Sequence, residues 1–137
     1  MIAVLSPAKT LNLDPVKTKT SQPRLLAQAE VLAAELKQRS AADLQEMMHI
    51  SENLAVLNRD RYQAFKTPFR KSNAKAAIHT FKGDVYLGLE AETMSEDDID
   101  FAQRHLRMLS GLYGVLRPRD LMQAYRLEMG IKLPNEA

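Results

Sequence analysis

The chain alternates short apolar runs with longer stretches in which apolar residues recur every three or four positions. Ile2–Leu5 is an apolar run closed by Ser6-Pro7, the pattern of a short buried strand. Asn12–Gln22 has no periodicity, is rich in Thr, Lys and Pro, and reads as an irregular surface segment. Pro23 suits the first turn of a helix whose face carries Leu25, Ala29, Leu32, Ala33 and Leu36. Ser40-Ala41-Ala42-Asp43 resembles a capping box and opens a second helix through Met47 and Met48. Ser51 caps a third, with Leu54, Leu57 and Phe65 directed inward. Glycine is absent from Met1 to Lys82, so this block reads as scaffold and crossover rather than chemistry.

The pattern then shortens. Ala77–Phe81 predicts a second strand, with Lys82-Gly83-Asp84 as the loop at its end and a short helix or turn over Val85–Ala91. Ser95, with Asp98 three residues on, caps a helix whose Ile99, Ala102 and Leu106 face the core, and its acidic first turn complements the helix dipole. The next stretch, Arg107–Gly130, sets three glycines, four arginines and two tyrosines among apolar runs. Leu109–Val115 admits two readings: a second helix after a turn at Ser110-Gly111, or a buried strand over Met108–Tyr113 that opens into a loop at Gly114. The strand is preferred, because the helical signal stops at Leu106 and turn residues flank the apolar run. A short helix follows Pro118, and the alternation of Tyr125, Leu127 and Met129 with Arg126 and Glu128 predicts a strand over Tyr125–Met129.

Strands separated by helical stretches argue for an α/β fold. The expectation is a mixed sheet of about four strands, with the helical block inserted between the first and second. Residues 1–137 read as a single domain, part of a larger α/β fold. Ligands in such sheets bind beyond the C-terminal strand ends, which here carry the loops Ser6–Thr10, Lys82–Asp84 and Gly111–Arg117.

Composition changes this picture in two places. With no cysteine, disulfides, zinc–thiolate sites and thiol redox chemistry are excluded within the chain. The net charge of +2 is unremarkable but its distribution is not. Glu90–Asp100 holds six acids and no base, while Lys66–Lys82 holds Lys66, Arg70, Lys71, Lys75 and Lys82 with no acid. Such segregation permits a basic face on a nearly neutral protein, or else two solvated faces that neutralise one another. Met47, Met48 and Met122 sit among apolar neighbours as core filler. The first apolar run is too short for a signal peptide and no stretch has the length of a membrane span, so a cytoplasmic protein without a membrane partner is expected.

Candidate chemistry gathers at the strand ends. Ser6 and Lys9 have Ser-x-x-Lys spacing, but Pro7 after a strand is the wrong setting for a nucleophile. Anion binding by the hydroxyl and ammonium is the better reading. Lys82 and Asp84 flank Gly83 either as a presented ion pair or as a solvated turn. Together Ser6, Lys9, Lys82, Asp84, Ser110 and Tyr113 define a strand-end pocket for a nucleotide or other phosphorylated ligand. No P-loop or dinucleotide fingerprint occurs, no catalytic motif is specific enough to name a reaction, and no cofactor is implied. His49, His79 and His105 lack ligand-like spacing, so no metal site is expected.

Four collinear motifs carry a family resemblance: SPAKT at the N-terminus, FKGDVY, SEDD before FAQRHLRML, and LSGLYGVLRP followed by YRLEMG. In this order they closely resemble the YaaA family of peroxide-stress proteins across essentially the whole chain. Family members are roughly twice this length, so the chain looks like an N-terminal portion. The resemblance implies a DNA-binding factor that limits intracellular iron and oxidative DNA damage, with double-stranded or branched DNA as partner. It also implies a helix-hairpin-helix element, to which LSGLYG is the nearest match, although its glycines are separated by two residues rather than the usual one. On that reading Lys9, Lys82, Arg117 and Arg119 supply charge to phosphates. Ser110, Gly111, Tyr113 and Gly114 form the gripping turn. No helix with an Arg, Asn or Gln reading face is evident, so binding is expected to be largely sequence-independent. Without cysteine, a link to peroxide does not run through a thiol sensor. Truncation is expected to leave surfaces bare for self-association.

Overall fold

The computed structural model describes residues 1–128. In chain order it contains β1 (Ala3–Leu5), β2 (Thr10–Leu11), α1 (Leu26–Lys37), α2 (Ala41–Met48), α3 (Glu52–Ala64), β3 (Lys75–Ala76), α4 (Ala77–Thr80) and β4 (Phe81–Lys82). Then follow α5 (Asp84–Leu89), a 3-10 turn at Ala91–Thr93, α6 (Glu96–His105), β5 (Leu106–Ser110), β6 (Gly114–Leu116) and β7 (Leu121–Met122). The fold is mixed α/β, as the sequence pattern predicts, with the three-helix block lying between β2 and β3.

A three-stranded sheet in the order β1-β5-β6 forms the centre. β1 runs parallel to β5, with Ala3 opposite Leu106 and Leu5 opposite Met108; β5 and β6 form an antiparallel hairpin. Two short antiparallel ribbons, β2–β4 and β3–β7, flank it. Met108 and Ser110 point to the covered face and are buried, whereas Val4 and Val115 on the other face are 56% and 39% exposed.

The helix starts follow their capping signals. Ser40 and Asp43 make a reciprocal capping box, as do Ser95 and Asp98, and the Ser51 hydroxyl accepts from the Leu54 amide. α2 ends on His49 in the left-handed region, at φ 55°. Ala29, Ala33 and Leu36 of α1, Met48 of α2 and Phe65 join the core as the spacing implies, and Leu44 lies beside them, whereas Leu25 is exposed. On α3 the inward face differs from the expected one. Leu54 and Leu57 are exposed, while Ala55, Asn58 and Tyr62 face inward. Asn58 tolerates this because its Nδ2 donates to the Leu54 carbonyl at 2.8 Å, and the Tyr62 hydroxyl donates to the Arg126 carbonyl.

Four further expectations are corrected. Ala77–Phe81 is not a strand: one helical turn, α4, sits between the two-residue strands β3 and β4. Ala76–Ile78, Thr80 and Phe81 are buried, so the run has no polar alternation to separate strand from helix. The turn closes by Thr80 Oγ1 donating to the Ala76 carbonyl at 2.7 Å, while the Ala77 and Ile78 amides donate to Asp120 and Pro118. The strand expected over Met108–Tyr113 is displaced to Leu106–Ser110, following α6 without a linker. Gly111–Tyr113 form a three-residue hairpin loop, and Gly114, at φ +73°, supplies the left-handed residue that returns the chain into β6. After Pro118 there is a turn rather than a helix. Asp120 accepts from the Arg117 amide at 2.8 Å, its own amide returns to the Arg117 carbonyl, and the chain enters β7. Residues 123–128 form no ladder strand, although Tyr125 and Leu127 are buried and Arg126 and Glu128 are not; Met129 lies outside the described residues.

Candidate functional site

Two of the strand-end loops do converge. β2 begins at Thr10 and pairs with Lys82, which brings Ser6–Thr10 alongside Lys82–Asp84. An added Cβ on Gly83 would sit 3.6 Å from Ala8 Cβ, and the Tyr86 hydroxyl donates to the Ser6 carbonyl at 2.6 Å. Burial pushes the Tyr86 hydroxyl up to about 12, so it stays a donor at neutral pH. Ser6, Lys9, Lys82 and Asp84 are exposed at this edge. Lys9 Nζ lies 3.1 Å from Glu128, and Arg126 also reaches Glu128, at 3.4 Å. The hydrogen bond from Lys9 holds the Glu128 carboxyl below its usual range.

The third loop faces inward. Ser110 Oγ accepts from the Tyr113 amide at 2.9 Å and shares a 2.7 Å hydrogen bond with the Tyr125 hydroxyl. Tyr113 is fully buried; its hydroxyl donates to the Gln123 carbonyl and accepts from the Gln123 amide, while its ring stands edge-on to Tyr125 and Phe69. Gly111 leaves room for the Leu127 carbonyl, which would lie 1.9 Å from any Cβ placed there. LSGLYG is therefore a β-hairpin loop with its hydroxyl groups turned into the core, not a pair of helices joined by a turn.

The arginines beyond it are held internally. Arg117 pairs with the buried Asp120 at 2.9 Å and donates to the Gln22 carbonyl, and Ser21 Oγ donates to the same carboxylate at 2.6 Å. Arg119, 7% exposed, is clamped between Asp100 and Glu96. Burial alone would lower this guanidinium, but its hydrogen bonds to the two carboxylates outweigh that and raise it. Arg119 of the arginine-rich stretch Arg107–Gly130 thus meets the acidic segment Glu90–Asp100 here.

Lys66, Arg70 and Lys71 are exposed, as is Lys82, and none of them forms an ion pair among the described residues. A cavity of about 500 Å³ lies elsewhere, between Leu13–Thr20, the end of α3 and the β3–β7 ribbon. None of the candidate site residues lines it. Its sequence signal is the acid-free run Lys66–Lys82, which contributes Lys71 and Lys75. Among the described residues no helix is long and apolar enough to cross a membrane, and no group of three or more His, Asp or Glu is placed to hold a metal ion.

Residues 1–137 match the family described as Peroxide stress protein YaaA. A UPF0246 protein of Aromatoleum aromaticum is 53% identical over 137 residues, covering 98% of this chain and 52% of that protein. Another, from Alcanivorax borkumensis, is 52% identical over 138 residues, covering 99% of this chain and 54% of its own length. The chain thus spans about half the length of these relatives. Full-length coverage by the family and identities above one half place the chain in the YaaA/UPF0246 family of peroxide stress proteins.

Proposed function

We propose that the protein acts in the cytoplasm during the peroxide-stress response, as a DNA-binding factor whose action limits intracellular iron and oxidative DNA damage. Family membership supports the stress role. The observation that favours DNA is that Lys66, Arg70 and Lys82 are exposed and make no ion pair among the described residues, while Lys9 pairs with the half-exposed Glu128. Such side chains can exchange water and counterions for backbone phosphates of double-stranded or branched DNA, without reading sequence. Arg117 and Arg119 fit a supporting role, since phosphate contact would break their internal pairs. Ser110, Gly111, Tyr113 and Gly114 likewise shape the hairpin rather than grip a backbone. The bare sheet face around Val4 and Val115 favours self-association as a second kind of contact.

The test is binding to duplex, branched and single-stranded DNA across a salt series. Lys66→Ala, Arg70→Ala and Lys82→Ala combined should weaken all duplex sequences about equally and flatten the slope of log affinity against log salt by roughly one unit per contact. A folded triple variant with unchanged slope overturns the assignment of these cations. A second reading, a strand-end site for a nucleotide or other phosphorylated molecule, is favoured by the convergence of Ser6–Thr10 with Lys82–Asp84. It retains Ser6, Lys9, Lys82 and Asp84 but not the buried Ser110 and Tyr113.

A further inference from the structure

The cavity beside the β3–β7 ribbon divides by chemistry. Its apolar wall includes Leu13, Val16, Ala64, Leu121 and Met122, and among the described residues its charged lining is Arg61, Lys71 and Lys75 with no carboxylate. Its volume of about 500 Å³ falls within the range of small-molecule sites, roughly 300–1,000 Å³.

The three cations are short of negative charge. None makes an ion pair among the described residues. Arg61 donates to Asn58 Oδ1 at 3.4 Å, and Lys75 Nζ donates to the Asn12 carbonyl at 2.9 Å. Burial pulls both groups below their ordinary values; the Asp14 carboxylate acts on Lys75 in the opposite direction but does not offset its burial. Thr18, Thr20 and Ser72 add hydroxyl groups to the same lining. A phosphate monoester, close to dianionic at neutral pH and rich in acceptors, matches three cations better than a singly charged carboxylate does.

We propose that this cavity binds a small phosphate monoester with an apolar body, the phosphate held by Arg61, Lys71 and Lys75 and the body resting on Leu121 and Met122. The site is separate from the strand-end loops, because Ser6, Lys9, Lys82 and Asp84 do not line it.

Calorimetric titration with hexyl phosphate, hexanol and inorganic phosphate tests this. Hexyl phosphate should saturate one class of site at least about tenfold more tightly than either fragment, since it alone satisfies both walls. Lys71→Met with Lys75→Met should cost about tenfold for hexyl phosphate and leave hexanol unchanged. Ala64→Leu, at an exposed helix position on the rim, should weaken hexyl phosphate and hexanol together, which keeps the test available if the double variant fails to fold. Lys82→Ala should change none of these affinities. Absence of saturable hexyl phosphate binding overturns the proposal. So does equal affinity for hexyl phosphate and hexanol, or a loss caused by Lys82→Ala alone.

Discussion

Arg117 and Arg119 have similar sequence surroundings, yet they rest on carboxylates in different settings. Asp120 is fully buried and meets the Ser21 hydroxyl, the Arg117 amide and the Arg117 guanidinium. Removing the guanidinium leaves a buried carboxylate with two donors. Arg117→Ala should therefore lower urea-unfolding stability by about 2–4 kcal/mol, whereas Lys82→Ala should stay within about 0.5 kcal/mol. An Arg117→Ala chain that unfolds at the parent midpoint would remove this pair from the account of stability. Asp100 presents the exposed counterpart. Its hydrogen bond from Arg119 favours the charged form and holds the carboxyl below its ordinary 3.8. A depressed folded-state value means stability present above the unfolded value and lost as pH falls through the folded one. Asp100→Asn should thus be less stable than the parent at neutral pH, but lose less on acidification from about pH 5 to pH 3. Parallel acid limbs in the two unfolding curves would count against the pair.

At the scale of elements, the segment from Gln123 to Glu128 is held by side chains rather than by a ladder. Tyr113 fastens Gln123, Ser110 fastens Tyr125, Tyr62 takes the Arg126 carbonyl, and Gly111 admits the Leu127 carbonyl. Gly111→Ala places a methyl where that carbonyl lies. It should cost more than about 2 kcal/mol or displace the segment, seen as faster hydrogen exchange of the Gln123 and Tyr125 amides. Parent-like exchange and stability would mean the segment can pass elsewhere. This arrangement also explains what the sequence could and could not disclose. Alternation at Tyr125–Glu128 reports which side is buried, and that was legible; the partner that would make it a strand is not encoded in alternation. Likewise Ala77–Phe81 is buried apart from His79, which leaves too little alternation to read, and the turn rests on the Thr80 back-bond and on the Ala77 and Ile78 amides. Capping serines were legible because they act on amides three residues away. Convergence of Ser6–Thr10 with Lys82–Asp84 follows from the antiparallel pairing of β2 with β4 rather than from the ends of one parallel sheet, which is what the strand-end rule assumes. The commitments of Arg117 and Arg119 were not legible, because their carboxylate partners depend on how α6 packs.

For the molecule as a whole, the sheet has one covered and one bare face. Val4 and Val115 lie on the bare face, and Ile2 and Phe101 are also exposed, at 52% and 59%. Association that grows with concentration is expected in sedimentation equilibrium, and Val4→Lys with Val115→Lys should return the chain to monomer. A parent that stays monomeric at high concentration would rule this face out as a contact. The parallel pairing of β1 with β5 has a different consequence, in time. Ala3 meets Leu106, and Leu5 meets Met108, so β1 leaves the ribosome about 100 residues before its partner exists. At about 5–20 residues per second, the nascent Ile2–Leu5 segment waits on the order of 5–20 s without a partner strand. Helices α1 to α3 can fold during that interval, because their contacts are local. The central sheet therefore closes only after the helices α1 to α6 have been made, around a strand made first, and the newborn chain passes through a stage in which its earliest apolar residues are open to chaperones.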